Sequence, residues 1–295
     1  MSFREKWLAA VERKNSVLCA GLDPAEFEMG RDEEGLLAGI DKSRWSIDYI
    51  AAIAPYCVAI KQNVQYWKAR FDMIHLDDLT RIAHQHDLLV IDDSKLADIG
   101  STNDAGMYHT MTKGMDAITL ACFAGNMKEA SEQLQKRNLG GIHMCLMSNP
   151  EYAREKNKLV PLAFEDVGHY DASDMVLSES KDAYVKQYIQ LAVDAKRYGL
   201  EGVVVGAPSK KNHITEEELQ KVRQYVGEDM LVLLPGLGVQ GGEAGIIWRH
   251  YNKNNVIVNV GRDLMFSKGS ATTFEQHRER AKYYQEMLNM LRTAG

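Results

Sequence analysis

The amino-acid sequence predicts a single (β/α)8 (TIM) barrel, and three features of the chain indicate this fold. The first is a series of eight short apolar runs, separated by segments whose apolar residues recur with helical spacing. The second is that the runs are continuously apolar, as in a parallel sheet that helices cover. The third is that glycine, charged or amide residues directly follow nearly every run, and barrel enzymes build their active sites at that end of the strands.

The eight apolar runs are the predicted barrel strands. They cover residues 17–22, 57–60, 88–91, 117–123, 141–147, 202–206, 231–234 and 256–260. Helical spacing is found between them at residues 45–53, 79–86, 127–134, 183–198 and 216–225. A doubly wound open sheet would concentrate its functional residues at one switch point, whereas here they follow most of the strands.

One segment interrupts the alternation of strands and helices. Residues 151–181, between the fifth and sixth predicted strands, are mostly polar, and we expect them to form an insertion over the barrel mouth with its own short helix. The chain has no low-complexity tract and no convincing linker. Residues 1–295 are therefore predicted to form one domain.

Composition and charge limit the classes of function. The hydrophobic fraction of 45% and the charged fraction of 26% are ordinary for a globular protein. A formal net charge of -6 argues against a general nucleic-acid or anionic-membrane binder, because both favour basic surfaces. No run approaches the ~18 consecutive apolar residues of a membrane span. The amino-terminal residues are charged where a signal peptide would need an apolar stretch.

The cysteine and histidine spacings give no sign of a disulfide framework or a metal site. The four cysteines are far apart and lie in apolar runs, so we expect them to be buried core residues in a reducing cytoplasm: Cys19, Cys57, Cys122 and Cys145. The histidines do not cluster, and no motif for a zinc site or a serine nucleophile is present. Methionines such as Met144 and Met147 are expected to fill the core.

Four charged residues follow the second and third predicted strands. Asp93 and Lys95 are two positions apart at the end of the third strand, which predicts that they point to one side. Asp98 follows three positions later, and Lys61 ends the neighbouring second strand. The sequence thus predicts two cations and two anions at the barrel mouth, with each lysine kept protonated by the carboxylates. A solvated ion-pair network is the alternative.

The seventh and eighth strands lead into candidate phosphate-binding residues. A glycine-rich stretch, residues 235–242, follows the seventh strand, and Gly261 and Arg262 follow the eighth. Loops at these positions often bind phosphate in barrels, because glycines let backbone N–H groups approach the anion and an arginine adds a charged fork. Tight turns alone would also explain the glycines. The basic residues 207–213 form either a lid over a phosphate or a solvated loop.

The order of these motifs resembles one enzyme family. The D-x-K-x-x-D run of residues 93–98, followed by Thr102 and preceded by Lys61 on the second strand, is similar to the signature of orotidine 5'-monophosphate decarboxylases. Further matches are residues 21–24, 148–150, 235–242 and 260–262, in the family's order. The matches span most of the chain, although residues 25–43 and 151–181 make it longer than the shortest members of that family.

The resemblance implies the activity and the roles of the charged residues. It implies decarboxylation of orotidine 5'-monophosphate to uridine 5'-monophosphate without a cofactor or a metal. Lys95 would donate a proton to C6 of the pyrimidine, and Asp93 would lie against the departing carboxylate. Lys61 and Asp98 would complete the array. A homodimer with shared active sites is also implied, in which Asp98 and Thr102 come from the other subunit.

The resemblance also implies which residues bind the substrate. They are Asp23, Thr102, Ser148, Gln240, Gly261 and Arg262. Asp23 and Lys61 are expected at the ribose hydroxyls and Ser148 at the pyrimidine amide. Gln240 and Arg262 are expected to hold the phosphate. From its local sequence alone, Ser148 would be a turn residue at the start of a loop.

Two other functions remain open at this point. Magnesium-dependent sugar-phosphate decarboxylases and aldolases of the same superfamily share the D-x-K-x-x-D run, but they place a carboxylate on the second strand to hold the metal. This chain has Lys61 there, and its charge would repel Mg²⁺, which requires oxygen ligands. A non-catalytic phosphate-binding barrel would be expected to lack at least one of the four charges, and all four are present.

Overall fold

A computed structural model describes residues 1–69, 72–235 and 244–294, which contain a closed barrel of parallel strands. The described strands are β1 (Leu18–Leu22), β2 (Ala59–Gln62), β3 (Leu89–Leu96), β4 (Ala117–Leu120), β5 (Gly140–Leu146), β6 (Leu159–Pro161), β7 (Met175–Leu177), β8 (Ala183–Lys186), β9 (Gly202–Val205), β10 (Leu231–Leu234), β11 (Val256–Val260) and β12 (Ser267–Ser270). The order around the barrel is β1-β2-β3-β4-β5-β9-β10-β11, and β11 pairs with β1. The predicted (β/α)8 barrel is therefore confirmed.

Helices connect the barrel strands and cover the barrel. Those described are α1 (Phe3–Lys14), α2 (Lys42–Ile53), α3 (Asp72–Gln85), α4 (Gly100–Thr112), α5 (Met127–Arg137), α6 (Tyr152–Glu155), α7 (Gln187–Arg197), α8 (Glu216–Val226), α9 (Ala244–Ile247), α10 (Arg262–Met265) and α11 (Phe274–Ala294). Capping boxes at Ser2 and Thr215 begin α1 and α8, because each hydroxyl accepts from the N–H group of a glutamate three residues on. No described helix is long and apolar enough to cross a membrane.

The strands of the barrel are buried, as their continuous apolar sequence predicts. Every residue of β1, β2, β4, β9, β10 and β11 is buried. The four cysteines are buried and free, which agrees with the sequence interpretation. Burial raises the pKa of Cys19 and of Cys145 to about 12, so both thiols stay protonated and unreactive.

The insertion between β5 and β9 has its own small sheet. Strands β6, β8 and β7 pair in that order, antiparallel, and α6 precedes them, so the expected short helix is present. The prediction of a helix over residues 183–198 was wrong at its start, because residues 183–186 form β8 and pair on both edges. The buried Lys156 connects α6 to the rest of the molecule, donating to the carbonyl of His213 and to Glu218 of α8, both at 2.7 Å.

Strands β1 and β11 approach each other closely where they end. A Cβ atom added to Gly21 would lie 2.8 Å from the Cα atom of Gly261, which is shorter than any normal contact. The neighbouring atoms belong to backbone, so no side chain could turn away to make room. The absence of a side chain at Gly21 therefore allows the turn at Gly261 to lie beside the end of β1.

Gly21→Ala tests this close approach. The added methyl group should lower the free energy of unfolding by about 1–3 kcal/mol, because the backbone at Gly261 must shift. Urea denaturation would measure the change. The matched control is Gly168→Ala, where an added Cβ atom meets nothing within 4 Å. Equal stability of the two variants would show that the approach imposes no constraint.

Candidate active site

Lys61, Asp93 and Lys95 meet at the carboxyl ends of β2 and β3. The Nζ atom of Lys61 donates to Oδ2 of Asp93, and Nζ of Lys95 donates to the other oxygen, Oδ1, at 2.8 Å. Lys61 and Asp93 are buried, whereas the side chain of Lys95 is 45% exposed. One carboxylate therefore bridges a buried ammonium group and a second one that is open to the barrel mouth.

The charges of this cluster stabilise one another. Burial by itself lowers the pKa of Lys61, but the charges of Asp93 and Asp23 and the hydrogen bond to Asp93 together outweigh burial and hold the pKa above its ordinary value. Burial by itself raises the pKa of Asp93, but the two ammonium groups, Lys61 and then Lys95, bring it well below its usual range. Lys61 and Asp93 therefore both stay ionised at neutral pH.

Strand β3 is irregular where it carries Asp93 and Lys95. Its register with β4 shifts between Asp92 and Leu96, and Lys95 has a φ of 50°, in the left-handed region that residues with a Cβ atom rarely adopt. Thr119 of β4 stabilises this conformation, because its Oγ1 accepts from Lys95 N at 2.9 Å and donates to Asp93 at 3.1 Å. The alternation of a regular strand, on which the sequence argument relied, is thus not what brings the two side chains together.

The cluster forms one wall of a cavity of about 190 Å³ at the barrel mouth. The lining residues are Lys61, Asp93, Lys95, Thr119, Met144, Met147, Ser148, Asn149, Val204, Leu233 and Pro235. The lining combines charged, apolar and hydrogen-bonding side chains, an arrangement that suits a small ligand with both apolar and polar parts. Met144 and Met147 pack against the core, as the sequence predicts, but they also line this cavity.

Asp23 follows β1 on the side of the mouth next to Lys61. It is half-buried, and burial raises its pKa although Lys61 acts in the opposite direction. Its Oδ1 atom is buried and accepts no hydrogen bond from any described residue. This oxygen is therefore an acceptor that a ligand hydroxyl group could use.

The predicted phosphate-binding residues are only partly within the described structure. Gly261 precedes α10 and Arg262 is the first residue of that helix. The guanidinium of Arg262 donates to Oε2 of Glu34 at 2.8 Å. Gln240 and the glycine-rich residues 236–242 lie outside the described residues.

Asp98 and Thr102 are not part of the cluster that Lys61, Asp93 and Lys95 form within one chain. Both are exposed, Asp98 before α4 and Thr102 in its first turn. Oδ1 of Asp98 accepts from the backbone N–H of Ile99 at 2.8 Å. Asp98 also does not line the cavity that contains Lys61. Of the four predicted charges at the mouth, the structure thus brings three together and leaves the fourth at the surface.

Thr119 and Glu34 were missed by the sequence interpretation. Thr119 is the one polar residue in the apolar run of β4, and this was a signal that could have identified it. Glu34 lies in a segment without helical or strand periodicity, and its sequence context gives no such signal. Among residues 1–69, 72–235 and 244–294, no group of three or more His, Cys, Asp or Glu side chains could hold a metal ion.

Comparison with known proteins identifies the family. The family model for "Orotidine 5'-phosphate decarboxylase / HUMPS family" matches residues 16–277. The chain belongs to this family. Relatives named orotidine 5'-phosphate decarboxylase include one from Halorubrum lacusprofundi, 28% identical over 99% of this chain and 100% of the relative. Another, from Bordetella petrii, is 25% identical over the same shares.

The solved structures show the same fold. The orotidine 5'-monophosphate decarboxylase of Plasmodium berghei superposes with a TM-score of 0.73 and covers 99% of each chain, at 16% identity. At this identity the likeness establishes the barrel architecture alone. The decarboxylase/HUMPS family assignment therefore depends on the family model.

Thr119→Val should destabilise the protein, because it removes the hydroxyl that bonds to Asp93 and Lys95 while keeping the shape of the side chain. We expect the free energy of unfolding to fall by about 1–3 kcal/mol, the usual effect of leaving buried polar groups unpaired. Calorimetric unfolding would measure it, with Thr119→Ser as the control that retains the hydroxyl. A Val variant no less stable than the Ser variant would contradict a supporting role for this hydroxyl.

Proposed function

We propose that the chain decarboxylates orotidine 5'-monophosphate to uridine 5'-monophosphate and CO2, in de novo pyrimidine biosynthesis. The observation that carries the proposal is the cluster of Lys61, Asp93 and Lys95 at the mouth of a barrel of the decarboxylase/HUMPS family. The names of the relatives support the choice of substrate. The proposed reaction uses no cofactor and no metal.

In this proposal the cluster supplies both charge and a proton. The bond between C6 and the carboxylate breaks, CO2 leaves, and the electron pair remains on C6, which then takes a proton from Nζ of Lys95. Asp93 holds that ammonium group in place, and Lys61 keeps Asp93 ionised. A fixed ammonium beside a developing carbanion stabilises the transition state because no solvent has to reorganise.

Binding of the rest of the substrate is assigned to residues around the mouth. The unpaired buried oxygen of Asp23 would accept from a ribose hydroxyl, beside Lys61. Ser148, which lines the cavity, would contact the pyrimidine amide. Gly261 and Arg262 would bind the phosphate, together with Gln240. Binding energy at this remote phosphate can hold the reacting carboxylate beside the negative charge of Asp93.

The magnesium-dependent reaction is less compatible with the site. In such enzymes a carboxylate on the second strand holds the metal, but here that position carries the ammonium group of Lys61, buried and bonded to Asp93. A divalent cation beside it would meet like charge, and one oxygen of Asp93 is already engaged by each lysine.

The proposal includes a homodimer with shared active sites. Asp98 and Thr102 are exposed, so they are accessible to a second subunit. Large apolar side chains are exposed on the same part of the chain, from the end of β3 to the loop after β4: Ile99, Tyr108, Met111 and Phe123. Exposed apolar groups of this size favour a protein interface. In the dimer, Asp98 would complete the charge array of the neighbouring subunit.

We further propose that residues 1–295 form one domain and that the enzyme acts in the cytoplasm. One closed barrel with a covering set of helices supports the first statement. Four free, buried cysteines support the second, because unpaired thiols are usual in a reducing compartment.

The proposed reaction predicts loss of the orotidine 5'-monophosphate absorbance when the purified protein is added. EDTA should leave the rate unchanged. Lys95→Ala should lower kcat by about 10²–10⁴-fold, the usual contribution of a general acid, with a much smaller effect on the affinity for uridine 5'-monophosphate. Lys128→Ala, which removes an exposed lysine of α5, is the control. Dependence on added Mg²⁺ or normal turnover by Lys95→Ala would contradict the proposal.

The shared site predicts complementation between inactive variants. Lys95→Ala and Asp98→Ala should each be inactive alone. A mixture in equal amounts that exchanges subunits at random should regain about a quarter of the wild-type activity, because half of the dimers are hybrids with one intact site of two. Native mass spectrometry would verify that hybrids form. Hybrids without activity would be inconsistent with a site that uses Asp98 from the neighbouring subunit.

A further inference from the structure

Arg262, the phosphate ligand in the proposed function, already has an anionic partner in this chain. Its Nη1 atom donates to Oε2 of Glu34 at 2.8 Å. The two side chains are 38% and 46% exposed, so a ligand can reach the pair from solvent. A phosphate ester that binds this guanidinium therefore meets a carboxylate that carries like charge and already accepts from one of its N–H donors.

The backbone around Glu34 is fixed by contacts that do not involve its carboxylate. Glu34 ends a short 3-10 helix, and the hydroxyl of Ser270 in β12 donates to the carbonyl of Asp32 in that helix at 2.7 Å. On the other side, the buried Leu36 donates its N–H to the carbonyl of Ala25 at 2.8 Å. The turn that positions Glu34 beside Arg262 is therefore anchored independently of their ion pair.

Helix α10, which begins with Arg262, is anchored as well. Asp263 accepts from Nε of Arg280 at 2.8 Å and from its Nη2 at 2.5 Å, and it accepts from the hydroxyl of Tyr284. Arg280 and Tyr284 both belong to α11. The turn that contains Glu34 and the helix that begins with Arg262 are thus each anchored by separate hydrogen bonds. The packing of these two segments brings the two side chains into contact.

We propose that Glu34 determines affinity at the phosphate subsite, because a 5'-phosphate must displace its carboxylate from Arg262. The inference depends on the proposed function, since it takes Arg262 as the phosphate ligand. A phosphate dianion carries more charge than a carboxylate and offers more acceptor oxygens, so it replaces the carboxylate of Glu34 at the guanidinium of Arg262. The favourable free energy of the ion pair between Arg262 and Glu34 is nevertheless lost each time a phosphate binds.

The consequence for the reaction concerns substrate and product alike. Both carry the same 5'-phosphate, so Glu34 weakens the binding of both by the same factor. Uniform weakening of this kind leaves the chemical step unchanged and speeds the release of the product. Because the pair is partly exposed and screened by solvent, the factor should be small, about two- to fivefold.

Glu34→Gln tests the proposal, and the neighbouring Glu33→Gln is a matched control. Glu33 belongs to the same turn and is exposed, and its carboxylate makes no ion pair with the described residues. Calorimetric titration would use uridine 5'-monophosphate, inorganic phosphate and uridine as ligands. We expect Glu34→Gln to raise the affinity for uridine 5'-monophosphate and for inorganic phosphate by about two- to fivefold. The affinity for uridine should not change. Glu33→Gln should change none of the three.

A double-variant cycle with Arg262→Ala separates this inference from the proposed function. Arg262→Ala should lower the affinity for uridine 5'-monophosphate. In the Arg262→Ala variant, adding Glu34→Gln should not change this affinity further. If Arg262→Ala does not weaken binding, the phosphate assignment fails, and the role of Glu34 fails with it. If Arg262→Ala does weaken binding, but Glu34→Gln lowers the affinity for uridine 5'-monophosphate or behaves like Glu33→Gln, only the role of Glu34 is overturned.

Discussion

The contact between Lys61 and Asp93 is the interaction on which the rest of the site depends. A buried charge without a partner costs several kcal/mol, so neither side chain could occupy its position alone. Their pairing requires the closed barrel, because β2 and β3 are hydrogen-bonded neighbours whose carboxyl ends lie side by side. Once Asp93 is held ionised, its second oxygen fixes Lys95, the more exposed of the two lysines that line the cavity. The fold thus positions a partly exposed ammonium group through a buried one, with Asp93 between them.

The barrel could be predicted from the sequence because its signal is repeated. Eight apolar runs of similar length were found, and each coincides with a strand to within a few residues at its start. Elements without that signal were not given correct bounds. Helix α4 contains several threonines and two glycines, with few apolar residues to show a helical period. Strand β8 was merged with α7, because the strand ends at Lys186 and the helix begins at the next residue, with no turn residues between them.

The candidate site was predictable where its residues end strands and carry charge. Lys61, Asp93 and Lys95 meet both conditions, and the structure brings them together. Asp98 meets only the second condition, and the resemblance alone suggested a role for it in a neighbouring subunit. The partner of Arg262 could not be predicted, because Glu34 is separated from it by most of the chain and is brought close only by the packing of a turn against β12.

Position 61 determines the balance of charge at the barrel mouth. Strand β2, which carries Lys61, lies between β1 and β3, and the charge of Lys61 opposes the rise that burial causes in the pKa of Asp23 and of Asp93. A carboxylate at position 61 would instead gather three acidic groups with no cation between them. Such a cluster of oxygens would be stable only with protons or a divalent metal bound, which is the arrangement that magnesium-dependent chemistry requires. The ammonium group of Lys61 instead balances negative charge at the mouth of this barrel, and Lys95 bonds to the second oxygen of Asp93.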